Sequence, residues 1–143
     1  MYESILVPTD GSDHSLRAAE EAVGLADDGA TIHALGVIED LPLYRQSGRG
    51  AKLQTTEDTA VLTRLEDATE HVGELAADAG LTHEAVVTEG VPHHEIVRYA
   101  KEHGVDAIVM SKRGTDAAAG DILGSTTERV IRQSPVVVVT VPP

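Results

Sequence analysis

Short apolar runs alternate with helical repeats along the whole chain, and this alternation most constrains what the chain can fold into. The apolar runs, each bounded by turn residues, are Ser4–Thr9, Thr31–Ile38, His83–Thr88, Ala107–Met110 and Val136–Val141. Runs that are apolar at nearly every position suit strands covered on both faces, as in a parallel sheet between helices. The runs therefore predict buried parallel strands.

Amphipathic helical patterns fill the gaps between these runs. Their apolar residues recur in steps of three and four, which keeps one stripe of each helix facing inward. The predicted helices run from Leu16 to near Gly29, from Val61 to Gly80, from Pro92 to Gly104 and from Ser125 to Pro135. Ser125 and Glu128 have the S-x-x-E spacing of a capping box, which predicts the start of the fourth helix.

The resulting order is β-α-β-α-β-α-β-α-β, which predicts a doubly wound α/β fold with helices on both faces of a parallel sheet. The chain has 143 residues, close to the length of one ordinary domain. We therefore expect residues 1–143 to form one domain.

The net charge excludes several classes of partner. Eleven basic residues against 24 acidic ones give a formal charge of −13. Binding to nucleic acid or to an anionic membrane needs a basic surface, so neither partner is expected. The acidity and the lack of Phe and Trp favour a halophilic protein, with an acidic protein of ordinary salinity as the alternative.

The chain contains no cysteine, which excludes disulfide scaffolds, thiolate catalysis and iron–sulfur clusters. It begins MYESILVP, without a basic start and a long apolar stretch, and no apolar run approaches the length of a membrane span. We therefore expect a cytoplasmic protein.

Two predicted strand ends carry polar residues, and ligands of doubly wound folds bind at such ends. After the first strand, Asp10 could accept hydrogen bonds from a ribose or help to hold a metal ion. The alternative is that Asp10 or Ser12 only caps the next helix. After the fourth strand, a glycine-containing loop leads from Ser111 to Gly124 and Ser125. This loop could cradle a phosphate, or its glycines could only form turns.

The stretch Glu39–Thr55 has no clear period and contains three of the eleven basic residues. A loop this long is either a mobile connection or a flap near a ligand.

Ser12–Ser15 contains every residue type of a hydrolytic triad, but neighbouring residues on a helix point about 100° apart and cannot line up as nucleophile, base and orienting group. We therefore predict no catalytic residue.

The chain resembles the universal stress proteins of the UspA type along essentially its whole length. ILVPTDGSDHS is similar to that family's first strand and turn, and TERVIRQSPVVVV to its last helix and strand. Ser111-x2-Gly114-x9-Gly124-Ser125 resembles its nucleotide motif, G-x2-G-x9-G-[ST], with serine in place of the first glycine. The resemblance implies a five-stranded parallel sheet of order 3-2-1-4-5.

The resemblance also implies a nucleotide site where the first and fourth strands end. Asp10 would contact ribose, the backbone near Val37 would meet adenine, and Gly124 would hold phosphate. The full implied set is Pro8, Thr9, Asp10, Val37, Met110, Ser111, Gly114, Gly124, Ser125 and Thr126. The implied cofactor is ATP, commonly with Mg²⁺ or Mn²⁺.

The implied function is that of an ATP-binding stress-response protein whose nucleotide occupancy biases its dimer or its contacts with an unknown protein partner. The alternatives are a weak ATPase and a protein-interaction module that has lost ATP. The last strand, Val136–Val141, is strongly apolar and would lie at the sheet edge. Apolar edges favour pairing, so we expect a homodimer through this strand.

Overall fold

The computed structural model describes residues 1–39, 56–112 and 123–143. Strands and helices alternate along these residues as the sequence predicts. The elements are β1 (Tyr2–Pro8), α1 (Asp13–Leu25), β2 (Ala26–Glu39), α2 (Thr56–Asp78), β3 (Thr82–Gly90), α3 (Pro92–His103), β4 (Ala107–Ser111), α4 (Ser125–Gln133) and β5 (Val137–Val141).

The five strands form one parallel sheet of order β3-β2-β1-β4-β5. The predicted fold class is therefore confirmed. The chain builds outward from β1 to β2 and β3, then returns to add β4 and β5 on the other side of β1. The carboxyl ends of β1 and β4 thus meet where the strand order reverses, which is the usual ligand position in such sheets.

Alternate residues of β1 face opposite sides of the sheet and enter two separate cores. Ile5 and Val7 pack with apolar residues of α1 and α2, including Val72. Leu6 packs on the other face with apolar residues of α3 and α4, including Ile96 and Val130. The predicted covering of both sheet faces is confirmed, and it explains why β1 lacks the alternation of a half-exposed strand. Among the described helices, none is both long and apolar enough to cross a membrane.

The first helix ends earlier than its apolar stripe predicts. Leu25 is its last residue, and Ala26 already pairs with Tyr2 as the first residue of β2. The N–H of Ala26 bonds to the carbonyl of Val23, so the chain leaves the helix in an extended conformation. Gly29, the predicted stop, instead lies within β2 with a φ of +75°. Pairing with β1 overrides the continuing helical pattern here.

Helix α2 packs closely against β2 at Gly36, where a side chain would be crowded. A Cβ at Gly36 would lie 3.1 Å from the Cβ of Leu65, closer than most such contacts. By contrast, a Cβ at Gly24 on α1 would meet nothing within 4 Å.

Substituting alanine for each of these two glycines is expected to change the free energy of unfolding in opposite directions. We expect Gly36→Ala to lower the free energy of unfolding by about 1–3 kcal/mol, because Leu65 would have to move by a few tenths of an ångström in a packed interface. We expect Gly24→Ala to raise it by up to about 1 kcal/mol because alanine favours a helix. Urea unfolding of both variants measures the difference. Equal effects would mean that α2 is not tightly seated on Gly36.

Candidate functional site

The turn between β1 and α1 is held by hydrogen bonds of its own side chains. The Asp10 carboxylate accepts the N–H of Ser12 at 2.9 Å, and the Thr9 hydroxyl accepts the N–H of Gly11 at 3.2 Å. The Ser12 hydroxyl accepts the N–H of Ser15 at 3.2 Å, which makes Ser12 the N-cap of α1. The cap predicted as one alternative is therefore Ser12, while Asp10 orders the turn before it.

Thr9 is buried, and its hydroxyl lies 2.9 Å from that of Ser15. The Ser15 hydroxyl also donates to the Ser12 carbonyl at 2.9 Å. Both serines are thus engaged in building the turn. We call residues 9–12 the Asp10 turn.

The N-terminus of α4 lies directly beyond the end of β4. Gly124 is the N-cap, and its N–H donates to the carbonyl of Lys112 at 2.8 Å. The Thr127 hydroxyl donates to the carbonyl of Ser111 at 2.9 Å and ties the first turn of α4 to the strand. Both bonds hold the helix start at the level where β4 ends.

The predicted capping box at Ser125 is wrong. Ser125 is the first helical residue, and the Gly124 N-cap has no side chain to bond the helix N–H groups. The first N–H bonded within α4 is that of Glu128, which donates to the Gly124 carbonyl at 3.0 Å. The side chain of Glu128 instead pairs with Arg132 at 2.8 Å. The S-x-x-E spacing is present, but Ser125 lies one residue after the N-cap position that a capping box requires.

This helix start suits an anion. The N–H groups of Ser125, Thr126 and Thr127 have no acceptor within the helix because they precede its first complete turn. The positive end of the helix dipole lies at the same place. The arrangement offers N–H donors and a favourable field, and glycine at the N-cap lets a ligand approach closely.

Sheet pairing brings these two segments to the same level of neighbouring strands. Leu6 of β1 pairs with Ile108 of β4, and extending this register places Thr9 level with Ser111. Most of the predicted site residues therefore lie at the carboxyl ends of β1 and β4 or at the start of α4, a region that we call the crevice. They are Pro8, Thr9, Asp10, Met110, Ser111, Gly124, Ser125 and Thr126. Val37 lies near the end of β2, two residues beyond Leu35, whose carbonyl accepts the N–H of Thr9.

Two of the sequence-based expectations concern residues that the structure does not describe. Gly114, the second motif glycine, lies outside the described residues. The stretch predicted at Glu39–Thr55 also lies outside them, except for Glu39 at the end of β2.

The sequence analysis missed three residues that build the site. Ser15 and Thr127 support its two halves through the hydrogen bonds above, and each lies three residues after the N-cap of its helix. Arg64 of α2 packs on the Asp10 turn: its Cγ, Cδ and Nε lie 3.2–3.6 Å from where a Cβ of Gly11 would be. Nothing local in the sequence indicates that contact, because 53 residues separate the two positions.

The described residues supply no group of three His, Cys, Asp or Glu side chains arranged to hold a metal ion. Among the predicted site residues, Asp10 is the one that carries a carboxylate. A divalent ion there would need further oxygen ligands, which the phosphates of a nucleotide could provide. The residues present thus fit an ion that arrives with its nucleotide.

The profile of the universal stress protein family matches residues 1–142. Universal stress protein MJ0531 of Methanocaldococcus jannaschii is 34% identical over 145 residues, covering 99% of this chain and 84% of that protein. This chain belongs to the universal stress protein family. The resemblance predicted from its sequence motifs is confirmed.

Solved structures agree with this membership of the universal stress proteins. The structure of MJ0577, also from Methanocaldococcus jannaschii, has a TM-score of 0.86 at 26% identity and covers 100% of this chain and 97% of that one. A universal stress protein solved in complex with cAMP has a TM-score of 0.66 at 29% identity, covering 98% of this chain and 96% of its own. The family therefore contains nucleotide-bound members.

A second polar cluster of this universal stress protein surrounds His33 of β2, away from the crevice. Its Nδ1 lies 2.7 Å from the Tyr99 hydroxyl of α3, and its Nε2 lies 3.1 Å from the Ser4 hydroxyl of β1. Burial raises the pKa of Tyr99 to about 12, so its hydroxyl stays protonated. Glu84 and His103 are the neighbouring titratable groups from β3 and α3. The cluster ties α3 to the sheet.

Acid is expected to destabilise the protein through His33. Burial lowers the pKa of His33 from 6.5, with a smaller contribution from His103 and an opposing one from Glu84. Below about pH 6.5 the unfolded chain therefore binds this proton more readily than the folded one. The free energy of unfolding should fall as the pH falls from 7 to 5, by at most about 1.4 kcal/mol per pH unit for this group.

Urea unfolding between pH 5 and pH 8 measures this dependence, with His33→Gln as the matched variant. Glutamine keeps a donor and an acceptor but does not titrate. We expect the variant to lose part of the acid dependence, since the other histidines still contribute. Identical pH profiles for the two proteins would contradict the assignment to His33.

Proposed function

We propose that this universal stress protein binds an adenine nucleotide, with ATP as the leading candidate, in the crevice between the Asp10 turn and the start of α4. The observation that carries the proposal is the N-terminus of α4, which has no side-chain cap and is bonded to the end of β4, the strand that neighbours β1 where the strand order reverses. A nucleotide needs both an anion site and a partner for its ribose, and these two segments supply one each. The relative in complex with cAMP supports the same ligand class.

The proposed contacts follow the placement of the residues. Asp10 would accept hydrogen bonds from the ribose, and the backbone at Val37 would meet adenine. Met110 and Ser111 would border the nucleoside beside Pro8 and Thr9. The phosphates would lie against Gly124, Ser125 and Thr126, with Gly114 of the motif, and would carry Mg²⁺ or Mn²⁺ with them.

Serine at position 111 is compatible with this proposal. Ser111 is only 8% exposed, so its side chain adds little surface to the crevice. Its carbonyl is held by Thr127, which keeps the strand end and the helix start together. We therefore expect binding to survive the replacement of the first motif glycine.

A calorimetric titration of nucleotide-free protein with Mg-ATP in molar potassium chloride tests the proposal. We expect a micromolar dissociation constant, which corresponds to about −8 kcal/mol. Titrations with AMP and ADP would rank the three adenine nucleotides by their dissociation constants. If Mg-ATP, ADP and AMP all produce no heat and no thermal shift, the nucleotide proposal is wrong, and the chain acts as an ATP-independent protein-interaction module.

The proposed role of the bound nucleotide is regulatory, in a stress response that acts through a protein partner. We assign no catalytic residue. Single-turnover release of phosphate distinguishes a regulatory site from a weak ATPase, since only the latter releases phosphate after one binding event. Cytoplasmic location, adaptation to high salt and the absence of nucleic-acid or membrane partners stay predictions.

The proposed assembly is a homodimer through β5. This strand pairs only with β4 in the described sheet, and its Val137 is 53% exposed. An apolar edge of this kind is stabilised by pairing with a second copy about a two-fold axis. Light scattering at micromolar concentration in molar salt should give twice the mass of the chain. A monomer would contradict the assembly without affecting the nucleotide proposal.

A further inference from the structure

Arg64 reaches the proposed site from α2, an element that contributes none of the site residues predicted from the sequence. The methylene stem of its side chain covers Gly11, with Cγ at 3.2 Å and Cδ at 3.4 Å from the position of a Cβ there. Nε lies 3.6 Å from the same position, so the guanidinium stands beside the Asp10 turn. Gly11 has a φ of +84° and leaves room for this stem.

The charge of Arg64 is not neutralised within the described residues. Arg98 pairs with Glu95 and Glu102, and Arg132 pairs with Glu128. The other described basic residues make no ion pair within the described parts of the chain, and they are Arg17, Arg64, Lys101, Lys112 and Arg129. Of these, Arg64 packs on the Asp10 turn, and Lys112 follows β4 directly in the chain.

A nucleotide is a polyanion and must approach a chain whose formal charge is −13. The carboxylate of Asp10 adds a further negative charge where the ribose would bind. Charges at a protein surface attract or repel each other more strongly than they do in bulk water, because the local dielectric constant is lower. The Arg64 guanidinium beside this turn, which has no ion-pair partner among the described residues, therefore offsets a repulsion that would otherwise weaken binding.

We propose that Arg64 is a further determinant of nucleotide binding, which favours phosphorylated nucleosides over unphosphorylated ones by its charge. The inference rests on the proposed nucleotide site and adds a selectivity that the motif residues do not provide. Arg64 also covers the Asp10 turn, so the test must separate its charge from its packing.

Arg64→Met makes this separation because methionine Cγ, Sδ and Cε replace arginine Cγ, Cδ and Nε. These are the three atoms that cover Gly11, so the variant keeps the packing and removes the charge. Arg64→Lys restores a charge. Lys101→Met, on the exposed face of α3, makes the same change in net charge away from the crevice.

Calorimetric dissociation constants for Mg-ATP, AMP and adenosine are measured for the four proteins. We expect Arg64→Met to weaken AMP and Mg-ATP about fivefold to tenfold, to leave adenosine unchanged, and to lose its defect as salt is raised. Arg64→Lys should recover most of the loss, and Lys101→Met should match the unsubstituted protein.

Equal weakening of adenosine and the phosphorylated ligands would overturn the inference, because it would indicate a packing role. So would unchanged binding in Arg64→Met. Failure of the unsubstituted protein to bind any of the three ligands would instead contradict the proposed function itself. The two failures are therefore distinguishable.

Discussion

Replacing Gly124 with aspartate is expected to weaken Mg-ATP binding at least 100-fold while leaving the fold intact. Gly124 is the N-cap of α4, with a φ of −70° and a ψ of 156°, a conformation that any residue adopts. Aspartate is also among the preferred N-cap residues, so the helix should be at least as stable as before. The loss of binding would thus come from the site and not from unfolding.

The physical reason is competition for the same donors. An aspartate carboxylate at the N-cap accepts the N–H groups at the helix start that the phosphates would use. Its negative charge also repels the phosphates directly. A 100-fold loss corresponds to about 2.7 kcal/mol, which a blocked anion site with a like charge readily exceeds.

Gly124→Asn is the matched control because asparagine has nearly the same shape and also caps helices, but carries no charge. Calorimetry with Mg-ATP should show a smaller loss for asparagine than for aspartate. Circular dichroism and urea unfolding should show that both variants fold. If the aspartate variant binds Mg-ATP as tightly as the unsubstituted protein, the phosphates do not lie at the start of α4.

Replacing Leu6 with alanine is expected to lower the free energy of unfolding by about 3–4 kcal/mol. Leu6 lies in the central strand β1, with 0% of its side chain exposed. It pairs with His33 in β2 and Ile108 in β4, and its side chain packs among residues of α3 and α4. The surrounding sheet cannot collapse into the cavity, because strands on both sides hold β1 in register.

Urea unfolding measures this loss as a lower midpoint with an unchanged slope. Ile131→Ala is the control: Ile131 is 43% exposed on α4, and its truncation should change stability by less than about 0.5 kcal/mol. Similar losses for the two variants would contradict the placement of Leu6 in the core between the sheet and its outer helices.

The positions of the elements could be predicted because their signals are local. Apolar runs such as Ile5–Val7 indicate buried strands, and Gly80 and Gly104 end helices with positive φ values of 76° and 60°. The alternation of strands and helices then leaves few topologies for a single domain. The strand order itself came from the family resemblance, since alternation alone does not determine it.

Local signals failed where a partner distant in the chain decided the outcome. The stripe that ends at Ala26 predicts a longer helix, but pairing with Tyr2 begins a strand there. The S-x-x-E spacing predicts a cap at Ser125, but the bonds from Gly124 to Lys112 and from Thr127 to Ser111 set the helix one residue earlier. In both cases a tertiary contact outweighs a local preference.

The sequence by itself determined the class of fold, the two strand ends that could hold a ligand and the family to compare with. These follow from short patterns whose physics acts within a few residues. Only the tertiary structure decided that α4 begins at Gly124 without a side-chain cap, that Thr127 ties this helix start to the end of β4, and that Arg64 covers Gly11. Those contacts join residues up to 53 positions apart, and no local pattern encodes a distance that depends on how the sheet is assembled.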